Sequence, residues 1–170
     1  DLTVSENWEL RLKEYLIKVV REAKVNSSWE APDEAYEKAC TAFITNIVND
    51  TVAFIPSVVE FIAQIFVPAS TNTLGQVLIK ITAPGIPDVY QGGELWDLSY
   101  VDPDNRRPVD YVTRKNHLTQ IQKKEKEGFE VLRPFLINHR NSGMEKLFVT
   151  WKALDFRRKH VEIFNSGEYL

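Results

Sequence analysis

The residues best equipped for chemistry lie in one stretch, TAPGIPDVYQGGELWDLSYVDPDNRRPVDY, from Thr82 to Tyr111. It gathers three glycines, four prolines and five aspartates into thirty residues, a mixture that packing alone does not require. Glu94, Trp96, Asp97, Tyr100, Asp102, Asp104, Asn105, Arg106 and Arg107 follow one another closely in it. Aromatic faces beside carboxylates and guanidinium forks suit sugars, whose axial C–H groups pack on rings while neighbouring hydroxyls take paired hydrogen bonds. The same residues also describe a long loop in which Asp102-Pro103-Asp104-Asn105 makes tight turns and the arginines anchor it by ion pairs; composition alone favours this plainer reading. A calcium loop fails on spacing, because Thr113 stands where a loop begun at Asp102 needs a bidentate glutamate. Gly92 and Gly93 permit close backbone approach, but neither a GxxxxGKS/T run nor GxGxxG occurs, so no phosphate loop and no cofactor is implied.

The elements that must position these groups read as mostly helix. Over 6–24, Trp8, Leu12, Tyr15, Leu16, Val19, Val20 and Ala23 recur at helical spacing, with Arg11, Glu14, Lys18 and Arg21 on the opposite, solvated face. Pro32, Asp33 and Glu34 open a second helix whose inner face is expected at Tyr36, Cys40, Phe43 and Ile47. A third, over 56–67, is apolar on most sides and expected to be the most buried, and a fourth over 72–82 stops at Pro84-Gly85. The run 52–69 is barely long enough to span a bilayer and is broken by Pro56, Glu60 and Gln64, which favours a core helix. IPDVY (86–90) reads as a short strand. Helices follow over 113–126, 127–140 and 144–158, the last with Leu147, Trp151, Leu154 and Arg158 on one face. HVEIFNSGEYL reads as a strand with a turn at 165–167.

Composition narrows the classes. The 170 residues, 44% hydrophobic and 26% charged, suffice for a globular core, and a net charge of −3 gives no footprint for nucleic acid. The lone Cys40 reads as an inert buried thiol, and the N-terminal sequence lacks signal-peptide grammar; together they point to the cytoplasm. His139 has no carboxylate or cysteine at ligand spacing, so no metal is expected there.

The Thr82–Tyr111 stretch closely resembles the segment around the eighth strand of maltooligosyl trehalose synthases, a branch of the α-amylase superfamily. The likeness continues upstream through KVVREAKVNSSWEAPDEAYEKA and NTLGQVLIKITAPG and downstream to FNSGEYL, nearly the whole chain. It implies a mainly α chain with a few short strands: the last part of a (β/α)8 barrel with helical additions. The implied divisions are a helical segment 1–70, a barrel helix with the eighth strand and its exit loop over 71–111, a helical segment 112–158, and the start of a β region at 159–170. It implies an intramolecular transglycosylation, in which a glucan glucosylmutase converts the reducing-end α-1,4 linkage of a maltooligosaccharide into an α,α-1,1 linkage.

Retaining glycoside chemistry places a nucleophile and an acid/base about 5 Å apart. The family's catalytic carboxylates belong to motifs upstream of the matched region, and no His-Asp dipeptide occurs here. The expectation is therefore a late piece of a longer enzyme, catalytically silent alone, meeting its maltooligosaccharide only through the whole enzyme and prone to self-association. By motif position Asp88, Tyr90, Gln91 and Glu94 border the sugar pocket, although Glu94 equally suits pairing with an arginine beneath it. Asp104, Arg106 and Arg107 shape the acceptor side, and Trp96 and Tyr100 are either sugar platforms or loop anchors. Trp29 could reach the same cleft, with a core or interface role favoured. Two other classes remain open, a non-catalytic helical carbohydrate-binding module and a helical interaction domain.

Overall fold

A computed structural model describes residues 6–50 and 52–167, and among these it is helical with no strand. The helices are α1 (Glu6–Ala23), α2 (Glu34–Val48), α3 (Phe54–Thr82), α4 (Tyr111–Glu127), α5 (Phe129–Asn138), α6 (Met144–Lys159) and α7 (Val161–Ser166), with single 3-10 turns at Asp104–Arg106 and Arg140–Ser142. The chain forms two compact units. One comprises residues up to Phe66 with Ser99–Arg107, the other Val67–Leu98 with everything from Pro108 onward.

In the first unit α1 packs on α2. The chain leaves α1 through Lys24, whose φ of 54° is the left-handed conformation that ends helices. Asp33 then caps α2, accepting from the Tyr36 amide at 2.9 Å, as the Pro-Asp-Glu sequence foretells. The inner face of α2 differs from expectation. Glu37, Ile44 and Val48 are buried while Phe43 is 62% exposed and Cys40 half-buried. A purely apolar count misses this register because Arg21 forks onto Glu37 at 2.7 Å through both nitrogens and draws that carboxylate inward.

α3 is one helix of 29 residues running through Pro68, where the sequence suggested two. A single proline removes one backbone hydrogen bond, and helix on both sides carries propagation across the gap. Nor is α3 the most buried element: Phe61, Ile62, Val67 and Ile79 are all at least half exposed. By length and composition α3 could cross a membrane.

The second unit is built around Leu95, Ile121, Leu132, Leu136, Met144 and Leu147, with Val77, Ile81 and Ala153 forming a smaller cluster. α6 turns Met144, Leu147, Thr150 and Ala153 inward, so Leu154, which the spacing put on one face with Leu147, is 38% exposed while Leu147 is buried. Two expected strands are absent. Residues 86–90 carry no regular structure and no ladder partner, since no other described segment offers a strand edge, and 161–166 is the helix α7. The final residues of the FNSGEYL motif, 168–170, lie outside the described residues.

Candidate functional site

In the first unit, Asp104, Arg106 and Arg107 sit on the 99–107 loop, and the loop is held to α1. Arg11 donates to both Asp104 carboxylate oxygens, from Nε at 2.7 Å and Nη2 at 2.8 Å, and the Tyr100 amide donates to the same carboxylate at 2.7 Å. The Asp104 side chain is only 11% exposed. The Arg11 guanidinium, with help from the Tyr100 amide and Arg107, holds its pKa down to about 2. The Tyr100 ring stacks on Tyr15 with centroids 4.8 Å apart and planes 13° from parallel. Lys18 donates to the Asp102 carbonyl at 2.8 Å and to its carboxylate at 3.0 Å, lowering that carboxyl's pKa.

The two arginines differ from Asp104 in exposure. Arg107 donates to the Asp104 carbonyl at 2.9 Å and to Ser99 Oγ at 3.2 Å, and its side chain remains 52% exposed. Arg106 reaches Asp102 at 3.2 Å and is 66% exposed. Both therefore keep N–H groups facing solvent on a braced loop, as recognition of hydroxyls or carboxylates requires.

In the second unit, Asp88, Tyr90 and Gln91 are exposed on the run entering the glycine turn, and Glu94 and Trp96 are half-buried beyond it. Glu94 pairs with Arg114 at 2.8 Å, the arginine partner that its motif position allowed. Arg114 also donates to the Gly92 carbonyl at 2.7 Å and the Asp110 carbonyl at 3.0 Å, closing the turn onto the first helical turn of α4. Gly92 is needed in this turn: its φ is 83°, and a Cβ there would lie 3.3 Å from Arg114 Nη2. Trp96 donates through its indole to the Arg140 carbonyl at 2.6 Å, and Lys146 donates to the Leu95 carbonyl at 2.9 Å. Burial pushes the Lys146 ammonium pKa down. Among the described residues no group of three histidines, cysteines or acids stands where it could hold a metal ion.

Sequence reasoning missed Arg11 and Lys18. Their partners lie 93 and 84 residues away, and both arose from a charged helix face read as solvated. The signal was present only as unmatched aspartates in the loop.

No family model matches the chain. Over 159 residues it is 36% identical to proteins from two Mycobacterium tuberculosis strains that bear the name maltooligosyl trehalose synthase, a match covering 94% of this chain and 18% of theirs. The chain resembles a segment of the maltooligosyl trehalose synthases along nearly all its length. Solved structures agree. One maltooligosyl trehalose synthase crystal structure superposes with a TM-score of 0.82 at 34% identity, covering 96% of this chain and 22% of that one. Those from Sulfolobus tokodaii and Arthrobacter ramosus give TM-scores of 0.77 and 0.75 at 34% and 32% identity, covering 96% and 93% of this chain but 21% and 19% of theirs. The chain thus spans about a fifth of the maltooligosyl trehalose synthases that it matches.

Proposed function

We propose that the chain supplies the acceptor side of the sugar pocket in a glucan glucosylmutase, which rearranges the reducing-end α-1,4 linkage of a maltooligosaccharide to α,α-1,1. The observation that carries this is the Arg11–Asp104 fork beneath two outward arginines: Asp104 spends its lone pairs inside the protein, so it positions Arg107 and the loop while Arg106 and Arg107 meet the sugar. Transglycosylation needs the released glucose to stay and turn rather than exchange with water, and fixed planar donors favour retention. Asp88, Tyr90, Gln91, Glu94 and Trp96 are assigned to the same substrate. The chain would form the closing part of a (β/α)8 barrel with helical additions, in a cytoplasmic enzyme, and the exposed apolar residues of α3 would pack on the rest of that enzyme rather than on lipid or nucleic acid.

The test has two arms. The chain alone, incubated with maltopentaose, should yield neither maltooligosyl trehalose nor glucose, because it lacks the paired carboxylates that the chemistry needs. In a full-length enzyme carrying this segment, Arg107→Ala removes a charge-assisted hydrogen bond worth roughly 1.5–3 kcal/mol and should shift the ratio of free glucose to rearranged product upward by about tenfold. An unchanged ratio with reduced thermal stability would make Arg107 a brace and remove it from the site.

A further inference from the structure

The first unit carries an open groove of about 560 Å³ along α1, lined by Glu14, Lys18, Glu22, Trp29 and Asp102, with Ile17 and Pro103 supplying apolar surface. That volume falls within the roughly 300–1,000 Å³ typical of small-molecule sites. We propose that this groove binds a glucosyl unit of a neutral oligosaccharide, with Trp29 as the ring on which the sugar face packs. The proposal rests on the maltooligosaccharide reading above and extends sugar binding to the α1 side of the 99–107 loop, where Asp102 and Pro103 form part of the groove wall.

Three observations lead here. Trp29 is 53% exposed and lines the groove, so its ring is open to a ligand. Its ring is nevertheless held: the Arg21 guanidinium lies 4.9 Å from the ring centroid, and Arg21 is itself fixed by its fork onto buried Glu37, which also accepts from Ser27. A ring stiffened before binding loses little entropy when a ligand packs on it.

The wall beside the ring is built for hydroxyls. Glu14, Lys18 and Glu22 stand one helical turn apart on the same face of α1, alternating acceptor, donor and acceptor. Their charges are partly balanced: Lys18 lies 3.0 Å from Asp102 and 3.7 Å from Glu22, and Arg106 lies 3.2 Å from Asp102, while Arg21 spends its charge on Glu37. A groove of alternating donors and acceptors with a small acidic surplus repels anions and suits a neutral, polyhydroxylated ligand. An aromatic face with flanking carboxylates then selects a pyranose ring, which presents C–H groups on one side and hydroxyls around its edge.

The experiment titrates the 170-residue chain with maltohexaose and follows the indole N–H signals by NMR. The expected result is a saturable shift of the Trp29 signal. Trp29→Ala should weaken binding by at least about tenfold, Trp29→Phe should stay within about threefold of the unaltered chain, and Glu14→Gln should cost a few-fold. Glu14 is exposed on α1, so that variant keeps the test valid if Trp29→Ala is destabilised. An unmoved Trp29 signal, or Trp29→Ala and Glu14→Gln chains that bind as tightly as the unaltered one, overturns the inference. The Arg107→Ala product ratio is read on different residues with a different observable. A silent groove beside a shifted ratio therefore overturns this inference alone, and an unshifted ratio beside a responsive Trp29 overturns only the arginine assignment.

Discussion

The two polar loops of this chain are fastened by different physics. The 99–107 loop of the first unit is tied by charge: Arg11 forks onto Asp104, Lys18 holds Asp102, and a Tyr15–Tyr100 stack adds an apolar contact. The 83–98 run of the second unit is tied chiefly by packing and by donors to backbone carbonyls, with one ion pair, Glu94 to Arg114, beside them. Leu95 enters the core, and Trp96, Lys146, Arg114 and Arg157 each donate to main-chain oxygens around it. Carbonyls do not titrate, and buried contacts are little screened, whereas carboxylates lose their charge in acid. The first loop should therefore respond to solvent conditions and the second chiefly to shape.

The largest effect expected from this contrast is at Gly143. Its φ is 78°, and a Cβ there would lie 2.8 Å from the Trp96 amide nitrogen. Gly143→Ala combines left-handed strain with overpacking against backbone and should cost about 3 kcal/mol or more in urea unfolding of the second unit. A loss under about 1 kcal/mol would show that shape does not fasten the 83–98 run.

Next comes Arg11→Ala, which leaves the Asp104 carboxylate without its main partner in a mostly buried place and should cost roughly 1.5–3 kcal/mol. Arg11→Lys keeps the charge but not the fork and should recover only part of it. Full recovery would mean that charge alone, without geometry, holds the loop.

Acid gives a third test. Asp104 and Glu37 have carboxyls held at about 2, below their ordinary 3.8 and 4.5, through Arg11 and Arg21 respectively. Both are depressed acids, so the stability they give is complete above about pH 4.5 and disappears as pH falls toward 2. Asp104→Asn should flatten that part of the profile for the first unit, measured by thermal melting across pH 2–6; an unaltered slope would sink the electrostatic account of this loop. The smallest effect is expected at Lys124, whose pair with Glu127 is about one third exposed on each side and fastens no loop. Lys124→Ala should change stability by about 0.5 kcal/mol or less.

How much of this was legible in the sequence depends on the range of the interaction. Local chemistry could be read: Pro32-Asp33 marked the start of α2, and Pro84-Gly85 the end of α3. Features set by distant partners were not. Glu37 turned inward because Arg21 and Ser27 meet it, and an apolar count placed Phe43 there instead. The 86–90 run has strand composition, yet a strand exists only beside another, and no described segment provides one. Pro68 suggested a break because its lost hydrogen bond is visible in sequence while the cooperativity of the surrounding turns is not. In the site, the glycine turn could be read locally and an arginine partner for Glu94 was one of two readings that its motif position allowed, while Arg11 and Lys18 were hidden by the length of chain between them and their aspartates.

That length has a consequence for how the molecule is made. The first unit is discontinuous, and its second piece, Ser99–Arg107, leaves the ribosome only after all of 67–98. Until then α1 waits with the Tyr15 ring and the Arg11 and Lys18 cations uncovered. Closing a contact across 93 residues must also overcome a chain entropy that local helix formation does not face. α1 and α2 can pair early in translation, but the charged clasp is a late event. A nascent chain paused anywhere before Asp104 presents an open helix face, and such intermediates are the ones that chaperones hold and proteases sample.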